Sequence, residues 1–382
     1  MSVNDDQISA SEPEMVRYWD YLPEYRRHRT EILRITDEVF SSGRVILGSR
    51  VETFERNFAE FCGAGFGIGV NSCTDALFLA LKALDIGAGD EVITVSNTAV
   101  PTVAAIRATG ALPVFVDVES DTFLIDPALV EHAATGKTRC ILPVHLCGQA
   151  ASMEPILEIA ARRGLSVVED CAQAAGATCQ GLKVGSIGVI GAFSFYPTKI
   201  LGTFGDAGML TTSSAAIARR LRRLRFYGME GEYYSEEEGY NSRIDELHAA
   251  LLDYRLQWLE GEVSARRAIA DSYFEGLKGV GDLTLPATRP DRDHQYYLFT
   301  VRTRFRGELK QYLAEKGIET RINYPYPIHL MRGYSFLGYK SGSLPVTEQL
   351  AGEILSLPMY GALPLTHVDR VIEAIRSFYR IK

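Results

Sequence analysis

The chain has 382 residues, 46% hydrophobic and 23% charged, ordinary proportions for a globular protein and too long for one small core. Its formal net charge of −8 disfavours non-specific binding to nucleic acid or anionic membranes, yet leaves small anionic ligands open to local backbone dipoles. Six cysteines (62, 73, 140, 147, 171 and 179) form no CxxC pair, which argues against a metal site and reads as free thiols in a reducing cytosol. No stretch reaches 18 apolar residues and the first fourteen are polar and acidic, so neither a membrane-spanning helix nor a signal peptide is expected. Residues 1–14 read as loosely attached.

Taken in order, residues 26–62 carry two helical patterns interrupted by the turn cluster Ser41-Ser42-Gly43, and 66–70 reads as a short strand. Asn71 and Ser72 lead into an apolar helix over 75–84. The free N–H groups of its first turn make a ready phosphate site, and Ser72 and Thr74 suit that role or plain capping, which can coexist. Strand-like runs near 91–95, 112–117, 139–144 and 165–169 then alternate with helical patterns over 99–109, 126–134 and 152–163. That alternation predicts a mostly parallel sheet covered by helices.

The run at 165–168 ends in two acids, Glu169 and Asp170, followed by small residues. In a parallel sheet, functional groups sit just past the carboxyl ends of such strands. A second β-prone run, 189–195, ends at Tyr196-Pro197, and a single lysine, Lys199, follows, with glycines at 202, 205 and 208. A lone lysine on a tight apolar-flanked turn, with Ser194 five residues before it, suits a Schiff-base lysine beside a phosphate-binding hydroxyl, because desolvation frees the amine as a nucleophile. Asp170 then suits the partner of a cationic ring nitrogen, the group that pyridoxal phosphate enzymes need. Gln173 would reach the ring hydroxyl, and Ala172 would leave room for a flat ring. Each has a plainer reading: Lys199 as a surface lysine on a glycine-rich loop, Asp170 as a helix N-cap.

Further on, the basic run RRLRRLR (219–225) is either a solvated helix face or a surface that steers a nucleotide diphosphate. The acidic, aromatic stretch 230–239 reads as an exposed loop, and a long helix over 245–275 bridges to a C-terminal lobe. That lobe shows one clear strand, 296–303, helices near 306–316, 346–355 and 367–378, and the loop from Tyr324 to His329.

Seven blocks, in order, carry a resemblance: GRVILGSRVETFE (43–55), VNSCTDALFLAL (70–81), PVHLCGQ (143–149), VEDCAQAAGA (168–177), SFYPTK (194–199), GYNSRIDELHAALL (239–252) and YPYPIHL (324–330). From about Leu22 to the C-terminus the chain resembles the sugar aminotransferases of the DegT/DnrJ/EryC1/StrS family, within the aspartate-aminotransferase-like (fold type I) pyridoxal phosphate (PLP) enzymes. The resemblance implies an α/β fold with a mostly parallel seven-stranded sheet in a large PLP-binding domain (26–255), preceded by an N-terminal tail (1–25) and followed by a small α+β domain (256–382). It implies that Lys199 holds the cofactor as a Schiff base and shuttles the substrate proton. Asp170 is implied as the ring-nitrogen partner and Gln173 as the ring-hydroxyl partner. Thr74, the Asp75 backbone and Ser194 are implied as phosphate ligands, and Asn241 as a phosphate ligand supplied to the neighbouring subunit of a homodimer with shared active sites. Tyr324 and His329 fall in a loop expected to face the sugar nucleotide, or else in a self-satisfied turn. Many relatives place an aromatic ring against the cofactor within the segment here reading SNTAVPT (96–102), where this chain has Ala99. Either another side chain stacks there, or that face is roomier for substrate.

The function so implied is transfer of an amino group, from glutamate, onto a keto-deoxysugar carried on a nucleoside diphosphate, in the cytoplasm. The segment GDAG (205–208), with Asp206, looks more like relatives that aminate C3 than C4. Amination of a cyclitol ketone and dehydration of a sugar remain as alternatives, although dehydrating relatives replace the lysine by histidine. A non-catalytic regulator with this fold would be expected to lack Lys199 or Asp170, or to carry a DNA-binding module.

Overall fold

A computed structural model describes residues 15–231 and 233–382; the expectation for residues 1–14 lies outside them. The paired helical patterns become α1 (Leu22–Ser41) and α2 (Ser49–Cys62). The alternating half of the chain follows as β1 (Phe66–Val70), α3 (Cys73–Ala83), β2 (Glu91–Val95), α4 (Val100–Ala108), β3 (Leu112–Val116), α5 (Pro127–Ala133) and β4 (Thr138–Ile141). Next come α6 (Met153–Arg163), β5 (Ser166–Asp170), the two-residue strands β6 (Thr178–Cys179) and β7 (Leu182–Lys183), β8 (Ile190–Ser194) and β9 (Gly208–Thr212). Then α7 (Ala215–Leu224), α8 (Glu246–Leu256) and α9 (Leu259–Leu277) lead to the C-terminal lobe. It holds β10 (Arg292–Asp293), β11 (Phe299–Arg302), α10 (Arg306–Glu315), α11 (Pro345–Glu353), β12 (Ile354–Leu357) and α12 (Leu365–Arg380).

Seven strands form one sheet in the order β1-β9-β8-β5-β4-β2-β3. Only β9 runs against its neighbours; the β2–β3, β2–β4, β4–β5 and β5–β8 pairs are parallel. This is the mostly parallel, helix-covered fold type I sheet that the alternation implied. Its central strands read as unbroken apolar runs because helices cover both faces. Since every strand but β9 points the same way, the segments after β1, β2, β4, β5 and β8 converge on one edge, where α/β proteins place their ligands.

Two large hydrophobic cores, beside two small clusters, are found among the described residues. The larger surrounds the sheet, where Phe54, Phe58, Phe193 and Phe195 pack edge-on with ring centroids 4.9–5.7 Å apart. The smaller joins Tyr273, Phe299, Val301, Leu355, Leu357 and Ile375 in the C-terminal lobe. Helix α9 belongs to both: Leu259 and Val263 enter the first core, and Ile269, Ala270, Tyr273 and Leu277 the second. We propose a domain boundary near 255/256, in the last turn of α8, on this division.

Two readings of the C-terminal half and one of the N-terminal tail need correction. The helix expected over 245–275 breaks at Gln257 and Trp258, because α8 buries Ala250 and Leu251 against Ile35 and Val39 of α1 whereas α9 turns toward the second core. The end of the pattern at 346–355 becomes strand β12, whose four buried residues pair with β11. The segment before α1 does not trail free: Val16 is fully buried and exchanges backbone bonds of 2.9 Å with Gly317 and Glu319.

The basic run is not an open phosphate-steering surface. Arg220 bonds Asp85 and Glu237, Arg223 bonds Glu230 and Glu237, and Arg225 is buried against Glu55 and the Gly69 carbonyl. Its charges hold the acidic loop in place.

The turn into α2 depends on one buried acid. Glu246, 3% exposed, accepts hydrogen bonds from the N–H groups of Gly48, Arg50 and Val51 at 2.7, 3.1 and 2.9 Å. A Cβ at Gly48 would lie 2.7 Å from Glu246 Oε2 and 2.9 Å from Arg44 Cδ, so only glycine lets the carboxylate approach. Glu246→Ala leaves these three donors without an acceptor and is expected to lower unfolding free energy by about 2–4 kcal/mol. Urea unfolding of the cofactor-free protein checks this; a loss within error of zero would show that water replaces the carboxylate.

Candidate active site

The phosphate-type cradle is built by strand order. Gly208 pairs with both Val70 of β1 and Ser194 of β8, which brings Ser194 beside the first turn of α3. A Cβ at Gly208 would lie 2.4 Å from the Ser72 carbonyl carbon and 2.7 Å from the Cys73 nitrogen, so glycine permits the close approach. Ser72 is the N-cap and accepts from the Asp75 N–H at 3.1 Å. The Asp75 N–H already bonds the cap, a role that can coexist with phosphate binding. The N–H groups of Cys73 and Thr74 precede the first intrahelical bond and remain as donors, together with the Thr74 and Ser194 hydroxyls. The Asp75 carboxylate instead accepts from Ser242 Oγ at 2.7 Å, and Ser242 Oγ accepts from the Asn71 N–H at 3.1 Å.

Asp170 closes β5 at the same edge and is 3% exposed. Its Oδ2 accepts from Thr102 Oγ1 at 2.8 Å and its Oδ1 from the Ala172 N–H at 3.1 Å. Burial pushes its carboxyl above the usual carboxylate range; the Thr102 hydroxyl, the Ala172 N–H and the nearby Lys199 charge oppose that rise. Each oxygen keeps a free lone pair, so the carboxylate can still accept a bond from a cationic ring N–H.

Gln173 is oriented by the backbone. Its Oε1 accepts from the Cys147 N–H at 2.8 Å, which leaves only Nε2 for the site, and Nε2 donates to the Tyr324 hydroxyl at 3.0 Å. Gln173 therefore meets a ligand as a donor, through its second Nε2 hydrogen, and Tyr324 keeps its own hydroxyl proton to give. Burial raises the Tyr324 phenol well above its ordinary value, so it stays protonated.

Lys199 is presented by a tight loop in which its N–H bonds the Tyr196 carbonyl at 2.8 Å and the Thr203 N–H bonds the Phe195 carbonyl at 2.8 Å. Its Nζ lies 4.6 Å from the centre of the Tyr297 ring, and the Tyr297 hydroxyl sits 3.1 Å from Thr198 Oγ1. Tyr297 belongs to the C-terminal lobe, 98 positions away, and was missed by sequence reasoning, as were Thr102 and Ser242. The run HQYYLF (294–299) carries no spacing that marks Tyr297.

His329 and Asn241 do not join this cluster within the chain itself, and Asn241 is the residue expected to serve the neighbouring subunit. His329 is 1% exposed, with Nδ1 2.8 Å from Ser96 Oγ and Nε2 3.1 Å from Glu348 Oε1. Both ring nitrogens are engaged, so the histidine fastens its loop to the end of β2 and does not offer a ring atom to substrate. Asn241 is exposed, and its side chain makes no hydrogen bond among the described residues. Ala99 caps α4 with an extended backbone (φ −66°, ψ 145°), and the aromatic side chains in contact with site residues are Tyr297 and Tyr324.

His145, Glu169 and Cys171 lie together in metal-ligand fashion, yet their electron pairs are in use. The Ala151 N–H donates to His145 Nδ1 at 3.0 Å, so the ring proton sits on Nε2 and is donated to Glu169 at 3.0 Å. Glu169 also accepts from the N–H groups of Gly185, Ile187 and Gly188 at 2.7–3.0 Å.

Comparison with known proteins agrees with this arrangement. The profile of the DegT/DnrJ/EryC1/StrS aminotransferase family matches residues 26–376. The chain is 49% identical over 364 residues to dTDP-3-amino-3,4,6-trideoxy-alpha-D-glucose transaminase of Micromonospora megalomicea subsp. nigra, covering 94% of this chain and 97% of that one. It is 44% identical to a pleiotropic regulatory protein of Geobacillus stearothermophilus, covering 94% and 98%. The crystal structure of S. venezuelae DesV in complex with a ketimine intermediate superposes with a TM-score of 0.94 at 44% identity, over 96% of this chain and 98% of that one. The chain belongs to the DegT/DnrJ/EryC1/StrS aminotransferase family.

Proposed function

We propose that the protein is a PLP-dependent aminotransferase that moves an amino group from glutamate to C3 of a keto-deoxysugar carried on a nucleoside diphosphate, dTDP in the first instance. The observation that carries this reading is the meeting of Lys199, a buried Asp170 and the α3 N-terminal cradle at one sheet edge. The residues fit the cofactor: Asp170 has spare acceptor capacity, Gln173 has a spare donor, and the Cys73 and Thr74 N–H groups with Ser194 suit a dianionic phosphate. When bound, PLP supplies the electron sink that lets a proton leave the carbon bearing nitrogen. Asp170 keeps a negative charge opposite the ring nitrogen. Lys199 Nζ serves as nucleophile and afterwards as the base and acid that moves the proton. Tyr324, with its phenol held protonated, is placed to donate to a substrate oxygen.

Amination at C3 is supported by the Micromonospora relative, whose name specifies a 3-amino sugar. Retention of Lys199 disfavours a dehydratase, and retention of both Lys199 and Asp170 disfavours a non-catalytic regulator despite the name of the Geobacillus relative. Amination of a cyclitol ketone differs only in acceptor, and the product formed from each candidate ketone, identified by NMR, separates the two. A cytoplasmic setting is supported by six buried cysteines without a disulfide. Among the described residues no helix is long and apolar enough to cross a membrane.

We also propose a homodimer with shared sites. Phe40, Ile46, Tyr196, Phe204 and Trp258 are large apolar side chains left 40–59% exposed, and the exposed Asn241 side chain makes no hydrogen bond among the described residues.

Three outcomes are expected. Borohydride reduction followed by peptide mapping places the pyridoxyl mass on the peptide containing Lys199; finding it on another lysine removes the assignment. Asp170→Asn keeps the fold but cuts turnover by about 10²-fold or more, since the ring nitrogen loses its counter-charge; near-normal turnover counts against the role. Lys199→Ala and Asn241→Asp are each severely impaired alone, the latter because a carboxylate near the phosphate is repelled. Co-expressed heterodimers of the two regain up to about half of wild-type activity if Asn241 serves the partner's cofactor. Heterodimers that form but stay inactive overturn the shared site.

A further inference from the structure

Asp170 is buried, and among the described residues no arginine or lysine forms an ion pair with it. Burial alone favours the neutral acid, which cannot balance a positive ring nitrogen. Besides the Ala172 N–H, its only direct hydrogen-bond donor among the described residues is Thr102, whose hydroxyl is also 2.9 Å from Thr98 Oγ1. A hydroxyl has one proton to give. Because the Thr102 proton goes to the carboxylate, the Thr98 hydroxyl must donate to Thr102, and the chain acquires a direction: Thr98 to Thr102 to Asp170. Successive bonds of this kind polarise one another. Thr98 is 2% and Thr102 1% exposed, so water does not stand ready to replace either. The first turn of α4 fixes the geometry, with Ala99 at the N-cap, Pro101 at the second helical position and the Thr102 N–H bonded to the Ala99 carbonyl at 3.2 Å.

We propose that Thr98 and Thr102 form a directed hydroxyl relay in which Thr102 is a positioning residue, holding Asp170 as an oriented carboxylate with one lone pair per oxygen left for the ring nitrogen. This rests on the cofactor reading above. The relay also accounts for the segment SNTAVPT: where Ala99 supplies no aromatic ring, its neighbours on either side supply hydroxyls to the acid.

The other titratable groups facing Asp170 are Lys199, Cys73, Cys171, His145 and Tyr324, whose phenol burial keeps protonated. Burial pushes both thiols up, so they stay neutral, and the His145 ring is turned to Glu169 and the Ala151 N–H, bonding neither Asp170 oxygen. Lys199 contributes a positive charge, which the cofactor removes on linkage. Apart from the charge that the ring nitrogen would bring, the hydroxyl relay and the Ala172 N–H are then the contacts left to offset burial. Its loss raises the Asp170 pKa further, so cofactor affinity and turnover disappear at a higher pH as acid is added.

The test compares wild-type protein with Thr102→Val, Thr102→Ser and Thr98→Val. Each is purified as holoenzyme, stripped of cofactor and titrated with PLP by absorbance from mildly acid to mildly alkaline pH, and kcat/KM is measured over the same range. Thr102→Val, which keeps the shape and removes the hydroxyl, is expected to weaken PLP binding about tenfold on the acid side only. Its acid limb of kcat/KM moves up by about 1 pH unit. Thr102→Ser restores wild-type behaviour, and Thr98→Val shifts both readouts the same way by a smaller amount. Should Thr102→Val fail to fold, Thr98→Val with Thr102→Ser decides the matter. An acid limb at the wild-type pH overturns the relay, as does uniform weakening at every pH. Wild-type protein that binds no PLP at all overturns the cofactor reading and the relay together, which distinguishes the two failures.

Discussion

A carboxylate buried without a cation in contact is the constraint around which this site is arranged. Asp170 is held at the end of a central strand, where the low-dielectric interior penalises its charge, and only hydrogen bonds and the Lys199 field oppose the penalty. Unlike Glu169 and Glu246, each met by three or more donors, Asp170 keeps acceptor capacity for a positive ligand atom. The sheet supplies the rest: β5 lies between β8 and β4, so the strand ends that lead to Ser194 and Lys199 on one side and to His145 on the other are brought beside it. The antiparallel β9 then carries Gly208 to the α3 N-terminus and completes the anion cradle.

The neighbouring acid has the opposite fate. Successive side chains on a strand face opposite ways, and Glu169 points behind the site, where four donors satisfy it. Three of these are the N–H groups that pin the 185–188 turn before β8, the strand that leads to Lys199. One acid is thus a structural clamp and the next a ligand partner, by strand parity alone.

The block 239–252 plays a comparable double part. Ser242 fastens the segment to Asn71 and Asp75 at this chain's own cradle, Glu246 fastens it to the turn entering α2, and Arg225 ties the adjoining helix end to β1. Asn241 alone is left facing outward. The polar residues of a single block therefore hold the cofactor end of one chain rigid while presenting a side chain away from it.

The sequence by itself determined the architecture and the principal chemistry. Local signals suffice for the first, since apolar runs alternating with helical patterns give a parallel sheet; a lone lysine and an acid past the ends of two strands suggest the site, and the seven blocks of family resemblance select that reading over the plainer ones. It did not determine which groups would surround them. Thr102, Tyr297 and Ser242 reach Asp170, Lys199 and Asp75 across 68, 98 and 167 positions, and hydroxyls at such separations carry no periodicity or spacing that marks them. The same limit explains His329, whose engagement by Ser96 and Glu348 exists only once α11 has packed against the end of β2, and the break between α8 and α9, which no glycine or proline announces. Tertiary packing decided these because burial and hydrogen-bond partnership depend on which distant surfaces meet, whereas strand and helix formation depend on residues close along the chain.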